Sequence, residues 1–493
     1  MNYIRLLCKI PAKLRSVFIL ITAFLLLTGN GYAQLSGTYA IPGQYATIAD
    51  AVTALNTSGV SGAVTFKVLT DHQETAPAAG ILLGTPALNA TTSVTNTITF
   101  QRDGMGLNPQ IYAFTPGTST TVDGIFKILG TDYVTIDGID LYENNSNTTP
   151  TMRMEWGYAL VKGQGSTPFD GCQYVTIKNC NINLNKANTA SVGIYVGNHI
   201  YSITTSLTIT AATDATNNCK FFNNTIQNAY TGIRLGGYAA STPYTLYDQN
   251  NEVGVDGANT ISNFGGSSSP TYGLYAIYQA GLKVANNSIT LGTGTTTTAY
   301  GISISTATSA NVDIYNNTVQ LASSATTTTL YGISNSAGGT AASNTINIYN
   351  NTVQNSTYAT ATSGSFTAIV NSGSAATANI YSNIVTGNSF TGTGAFTGID
   401  GGGPTNLNMY SNYVYNNQKT GASGIMYLTR GSTAIVTYHS NNVYDNGFTA
   451  SSGTSSCIIY GYYNLGSLRL KIFITTIFII YQLPELIPEH LRF

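Results

Sequence analysis

The chain has 493 residues, 43% of them hydrophobic and only 8% charged, with 51 glycines and a formal net charge of −1. A chain of this length can bury a long core, but a near-neutral balance with a pI of about 6.4 offers no basic field, which excludes nucleic acid and anionic membrane as partners. A dense background of Gly, Asn, Thr and Ser favours a turn-rich all-β protein over a helical one.

Residues 1–33 have the form of a secretory signal. Arg5, Lys9, Lys13 and Arg15 precede an apolar stretch from Val17 to Leu27, and "GYA" ending at Ala33 supplies small residues suited to cleavage before Gln34. The apolar run is too short to span a bilayer comfortably. The expected destination is outside the cell, secreted or on the cell surface, with no membrane span in the mature chain.

Residues 34–103 read as an N-terminal cap. In "QYATIADAVTALNTSG" (44–59) Ile48, Val52 and Leu55 recur at three- and four-residue spacing, which predicts a short amphipathic helix ending at Gly59. The strand-like stretches "GAVTFKVL" (62–69) and "NTITFQRDG" (96–104) follow. A helix placed there covers core and strand edges that would otherwise invite aggregation.

Residues 104–467 carry a repeat. "YVTIDGIDL" (133–141) matches "YVTIKNCNI" (174–182), and later copies include "KFFNNTI", "VANNSI", "DIYNNTV", "NIYNNTV", "NIYSNIV", "NMYSNYV" and "YHSNNV". In the last six copies the asparagines fall at 287, 317, 351, 383, 412 and 441, spaced by 30, 34, 32, 29 and 29 residues. Such a period marks a solenoid, and its variable length places insertions in loops. Within a copy Val312 and Ile314 alternate with polar neighbours, and "YGISI", "YGISN", "FTAIV", "FTGID" and "SGIMY" supply a second strand about fifteen residues on. Short strands without crossover helices predict a right-handed, single-stranded parallel β-helix. Stacked at about 4.8 Å, identical residues form columns. Asn287, Asn317, Asn351, Asn383, Asn412 and Asn441 are therefore expected to form a structural amide ladder along the axis.

Residues 468–493 break the pattern, since "LRLKIFITTIFIIYQLPELIPEHLRF" contains no Gly, Asn, Ser, Ala or Val. The segment reads as a frameshifted ending, a cap or an anchor, and no further coil is expected in it. A chain ending at Ser467 is expected to stay as soluble as the full chain.

Chemistry is sparse. From 281 to 466 the only acids are Asp313, Asp400 and Asp445 and the only bases Lys283, Lys419 and Arg430, too few for a paired-carboxylate or calcium site there. The charged concentration lies earlier, in Asp123, Asp132, Asp137, Asp140, Glu143, Arg153 and Glu155. Asp137 and Lys178 fall on one outward column as an ion pair. Asp137, Asp140 and Glu143 form a solvated turn or, alternatively, hold calcium or act as acid and base; no other cofactor is indicated. His199 and His439 are isolated and read as ordinary polar surface residues. Cys172, Cys180, Cys219 and Cys457 lack zinc spacing; a Cys180–Cys219 disulfide is one reading and buried free thiols the other. Tyr315, Tyr349, Tyr381 and Tyr410, followed by His439, form a column that faces outward if Ile314, Ile348, Ile380 and Met409 face inward. It reads either as a platform for sugar rings or as stacked tyrosines that stabilise the solenoid.

"YATIADAV", "GVSGAVTFKV" and "YVTIDGIDL" resemble the opening of the pectin-lyase-like β-helix superfamily, and the repeats resemble exported β-helix proteins of bacteria with type IX secretion. The first resemblance implies enzymes acting on acidic polysaccharides, but the polygalacturonase patterns Asn-Thr-Asp, Asp-Asp, Gly-His-Gly and Arg-Ile-Lys are absent from the chain, so no catalytic residue carries over. The expectation is a structural or adhesive protein able to bind a polysaccharide or cell-surface glycan. The alternative is a polysaccharide lyase or glycoside hydrolase with its site in coils 120–260.

Overall fold

The computed structural model describes residues 33–466 except 119, 164–169, 268, 340–342, 422 and 450–456, with the backbone of 470–474, 477–479 and 491–492. The signal segment expected at 1–33 lies outside these residues but for Ala33, and so does most of the tail.

The chain winds into a parallel β-solenoid. Sheet A has 14 strands, from Leu35–Ile41 to Leu470–Ile474; sheet B has 13, from Gln73–Thr75 to Ile477–Ile479; sheet C has 13, from Ile81–Leu83 to Leu491–Arg492. Each strand pairs in parallel with its counterpart one coil away, as in Val312↔Ile346 and Ile314↔Ile348. A fourth ladder of two-residue strands, Thr357–Tyr358 to Gly447–Phe448, joins the later coils. Alternation does the sorting: Ile314, Ile348, Ile380 and Met409 are fully buried while the residue after each is half-buried on the outer surface.

The doubled asparagine has two jobs. The first member, Asn316 or Asn350, turns the chain from sheet A to sheet B with φ of 56° or 54°, a left-handed conformation that asparagine tolerates; Ser382, Ser411 and Ser440 take over in later coils. The second member points inward. Asn287, Asn317, Asn351, Asn383 and Asn412 each donate Nδ2 to the Oδ1 of the next, ending at Asn441, at 2.9–3.0 Å. Each backbone N–H donates to the same oxygen. The ladder also runs upstream through Asn224 and Asn259. Asn259 belongs to a coil that repeat matching passes over, because "EVGVDGANTIS" has three extra residues between its strands.

The glycine of "YGI" has a packing reason. At Gly193, Gly232, Gly273 and Gly301 an added Cβ would lie 2.4–2.5 Å from a branched side chain of sheet B, Ile226, Ile261, Ile289 or Val319. In these coils sheets B and C thus meet too closely for a side chain, whereas later coils place Ala368 and Leu428 in the same column.

At the N-terminal end the helix Ile48–Ser58 buries Ile48, Val52 and Leu55 and stops at Gly59, as its periodicity predicts. Its first N–H groups donate to Glu74, with Ile48 N at 2.7 Å and Ala49 N at 3.2 Å. No helix among the described residues is long and apolar enough to cross a membrane. Cys172, Cys180 and Cys219 are buried free thiols.

The tail departs from expectation. Leu470–Ile474 pairs with Ile435–His439, Ile477–Ile479 with Asn442–Tyr444, and Leu491–Arg492 with Ile459–Tyr460. Its backbone therefore continues the solenoid, since runs of Ile and Phe suit strands even where the Asn and Gly signals of a coil are missing.

Candidate functional site

Sheet C has one long, irregular strand, Val192–Ile200, whose pairing with Trp156–Lys162 slips after Leu160 so that Lys162 faces Ile200. Irregularities of this kind re-aim side chains, and here the slipped stretch carries Asn198 and His199. The cleft beside it measures about 650 Å³ and crosses four coils, with Trp156, Tyr195, Arg234, Tyr272 and Tyr275 among its walls. Register explains the convergence: Tyr195, Arg234 and Tyr275 are direct neighbours on successive strands.

Aromatic surface dominates. The Trp156 and Tyr195 rings stack at 4.7 Å, Tyr272 and Tyr275 at 4.3 Å, and the Arg234 guanidinium lies 5.2 Å above the Tyr195 ring. Lys127 Nζ sits 5.6 Å from the rings of both Trp156 and Tyr201, and burial pulls its pKa down to about 8. Glu155 is the only acid lining the cleft among the described residues. Its oxygens accept from Asp123 N at 2.9 Å and Asn188 Nδ2 at 2.8 Å, and burial raises its pKa to about 7.

His199, expected as a surface residue, is buried, with 3% of its surface exposed. Its Nδ1 lies 2.8 Å from Ile200 O, a group that only accepts, so Nδ1 carries the proton. Nε2 is then the acceptor for the Tyr195 hydroxyl at 2.6 Å. Burial lowers the His199 pKa, holding the ring neutral. Two polar atoms in the cleft wall are left over: Arg234 Nε, a donor, and Asn198 Oδ1, an acceptor, are both buried with no hydrogen-bond partner.

The acidic cluster, read as a solvated turn or alternatively as a calcium or acid–base site, is engaged in hydrogen bonds. Asp137 takes Asn179 Nδ2 at 2.6 Å and pairs with Lys178 at 3.2 Å, the ion pair anticipated from the shared column. Asp140 accepts from Asn108 Nδ2, Asn181 N and Asn181 Nδ2. Glu143 accepts from Asn144 N, Asn147 Nδ2 and Met154 N. Their oxygens are already used by N–H donors, and no group of His, Cys, Asp or Glu among the described residues is placed to hold a metal ion.

The tyrosine column is present as a stack. Tyr315, Tyr349, Tyr381 and Tyr410 lie 4.9 Å apart with planes within 3° of parallel, and His439 continues the stack at 5.0 Å. Each ring face inside the column is therefore covered by the next ring. What the column exposes is ring edges and hydroxyls, not the faces on which a sugar would stack.

The cleft overlaps the stretch 120–260 considered for an enzyme site and is lined by Glu155 and His199, but Trp156, Tyr195, Arg234, Tyr272 and Tyr275 stand in no motif. Trp156 is the single tryptophan and "GIYVGNHI" breaks the alternation of its neighbours, but the partners lie a coil apart in stretches with no shared motif.

No protein family matches the sequence, and no curated protein is similar to it. Solved structures do resemble the fold. They include the A-module of the mannuronan C-5 epimerase AlgE6 of Azotobacter vinelandii, with 12% identity, TM-score 0.39, and coverage of 84% of this chain and 94% of that one. A GH87 α-1,3-glucanase from Streptomyces thermodiastaticus has 12% identity, TM-score 0.43, and coverage of 90% and 71%. A GH136 lacto-N-biosidase from Eubacterium ramulus has 11% identity, TM-score 0.41, and coverage of 85% and 64%. What these proteins share with this chain is the β-helix.

Proposed function

We propose that the protein is an exported glycan-binding β-helix and that the aromatic cleft between Trp156 and Tyr275 holds the sugar. The observation that carries this reading is the pair of unpartnered buried atoms, Arg234 Nε and Asn198 Oδ1, in a wall otherwise made of aromatic rings. A concave, largely apolar wall with a few polar groups is the usual make-up of a small-ligand site, and a buried donor and acceptor without protein partners are each costly unless a ligand or water meets them. Binding to a panel of neutral and acidic polysaccharides, measured by calorimetry, is the test. Arg234→Ala should weaken binding by roughly tenfold or more, the scale of a charge-assisted hydrogen bond. Unchanged affinity would remove the cleft from consideration.

A second reading, a polysaccharide lyase, draws on the Tyr195–His199 contact. The Tyr195 hydroxyl can pass its proton to the neutral imidazole as the phenol oxygen takes the proton next to a carboxylate, which Arg234 would neutralise. Elimination then breaks the glycosidic bond to leave a double bond in the sugar ring, and the departing oxygen takes up the proton that Tyr195 abstracted. Ultraviolet-absorbing product from an acidic polysaccharide, lost in His199→Gln with binding retained, supports it. Hydrolysis by two carboxylates has less support, since Glu155 stands alone in the cleft among the described residues.

A further inference from the structure

The outer face of sheet A from 312 to 439 consists of columns that repeat once per coil. One holds Asp313, Asn347, Asn379, Asn408 and Thr437, and beside it run Tyr315, Tyr349, Tyr381, Tyr410 and His439. The amides of the first column donate along it, Asn347 to Asp313 at 2.7 Å, Asn379 to Asn347 and Asn408 to Asn379 at 2.8 Å. Between Ile314 and Ile399 the chain has no charged residue at all. These columns are half-buried and have no covering element on their outer side within the described chain.

We propose that this face docks a second copy of the chain, sheet A against sheet A about a two-fold axis. Three features favour that occupant. The columns step at one strand spacing, and a second copy steps by the same amount, so donors and acceptors meet at every coil; a partner of another period loses register. Apart from Asp313 at one end, the face carries no formal charge, so little ionic desolvation opposes its pairing with a copy of itself. Tyrosine edges and hydroxyls, set against rows of Asn and Thr, match the composition of protein interfaces, which are rich in Tyr and poor in charge at the centre. Five coils by one strand cover about 24 Å by about 17 Å, roughly 400 Å² per copy, below the size of stable specific interfaces, so the dimer is weak, reversible and concentration-dependent. A two-fold arrangement closes on itself and stops at the dimer.

Sedimentation velocity of the secreted full chain over a concentration series tests this. The wild type should shift from monomer to dimer as concentration rises. Tyr349→Lys/Tyr381→Lys and Tyr349→Glu/Tyr381→Glu should each stay monomeric, and their equimolar mixture should dimerise again. A wild type that is monomeric throughout, a lysine variant that dimerises like wild type, or a mixture that stays monomeric overturns the proposal. If the wild type is monomeric and a neutral polysaccharide binds it but not the lysine variant, the face belongs to a glycan and the proposal fails. Should the charged variants misfold by circular dichroism, single cysteines at Thr345, Thr377 and Asn406 decide: one of them near the axis should give a disulfide-linked dimer under mild oxidation. Failure of all three overturns it.

Discussion

The Asn351 side chain touches three coils. Its Nδ2 donates to Ile314 O on the coil before and to Asn383 Oδ1 on the coil after, while its Oδ1 accepts from Asn317. Asn351→Leu removes those bonds and leaves the Asn317 backbone N–H and Ile314 O short of partners inside the core, while Asn317 Nδ2 keeps Val284 O and Tyr315 O. The expected cost is about 1–3 kcal/mol, read as a lower denaturation midpoint in urea, with hydrogen exchange fastest in the coils on either side. Titration belongs to the same scale. Burial raises Glu155 from 4.5 to about 7, Asp132 from 3.8 to about 7 and Asp170 from 3.8 to about 6. The folded state therefore holds protons that the unfolded chain has released. Their contribution is fully present below the ordinary carboxylate values and is lost as pH rises through about 6 to about 7. The melting temperature should fall across that window, and Asp132→Asn with Glu155→Gln should flatten the fall. An unchanged slope in the double variant would assign it to other groups.

Among the elements, the strands of sheet C explain what the repeat preserves. Gly301 faces Val319 so closely that an added Cβ would lie 2.5 Å from Cγ1 and 2.6 Å from Gly332 O. Gly301→Ala should destabilise by roughly 1–3 kcal/mol through overpacking, measured in denaturant, whereas Ser305→Ala, half-buried at the end of the same strand, should change little. The sheet A strands, the turn asparagines and the cap helix are legible because each has a local cause: alternation, a left-handed turn, an apolar stripe. The coil at Asn259 is not, because its extra residues hide the spacing. His199 is not either, since burial comes from a slip in strand pairing that no local pattern announces.

For the whole molecule, each coil rests only on its neighbours, so an exposed end is a strand edge ready to pair. Removing everything after Gly466 uncovers Ile435–His439 and Asn442–Tyr444, which the tail backbone pairs. The shortened chain should aggregate faster by light scattering than the full one, the reverse of what tail composition alone predicts. Equal or better solubility would show that the tail strands protect nothing.

The sequence by itself determined the architecture. A period near thirty, inward apolar alternation and a recurrent asparagine leave the backbone few ways to satisfy its polar groups other than stacking in register. It also determined which columns repeat, including the tyrosines. Only the tertiary structure decided what those columns present and where the cleft lies. Whether a tyrosine shows its face or its edge depends on the ring one coil away. The convergence of Trp156, His199 and Arg234 depends on pairing between strands more than thirty residues apart in the chain.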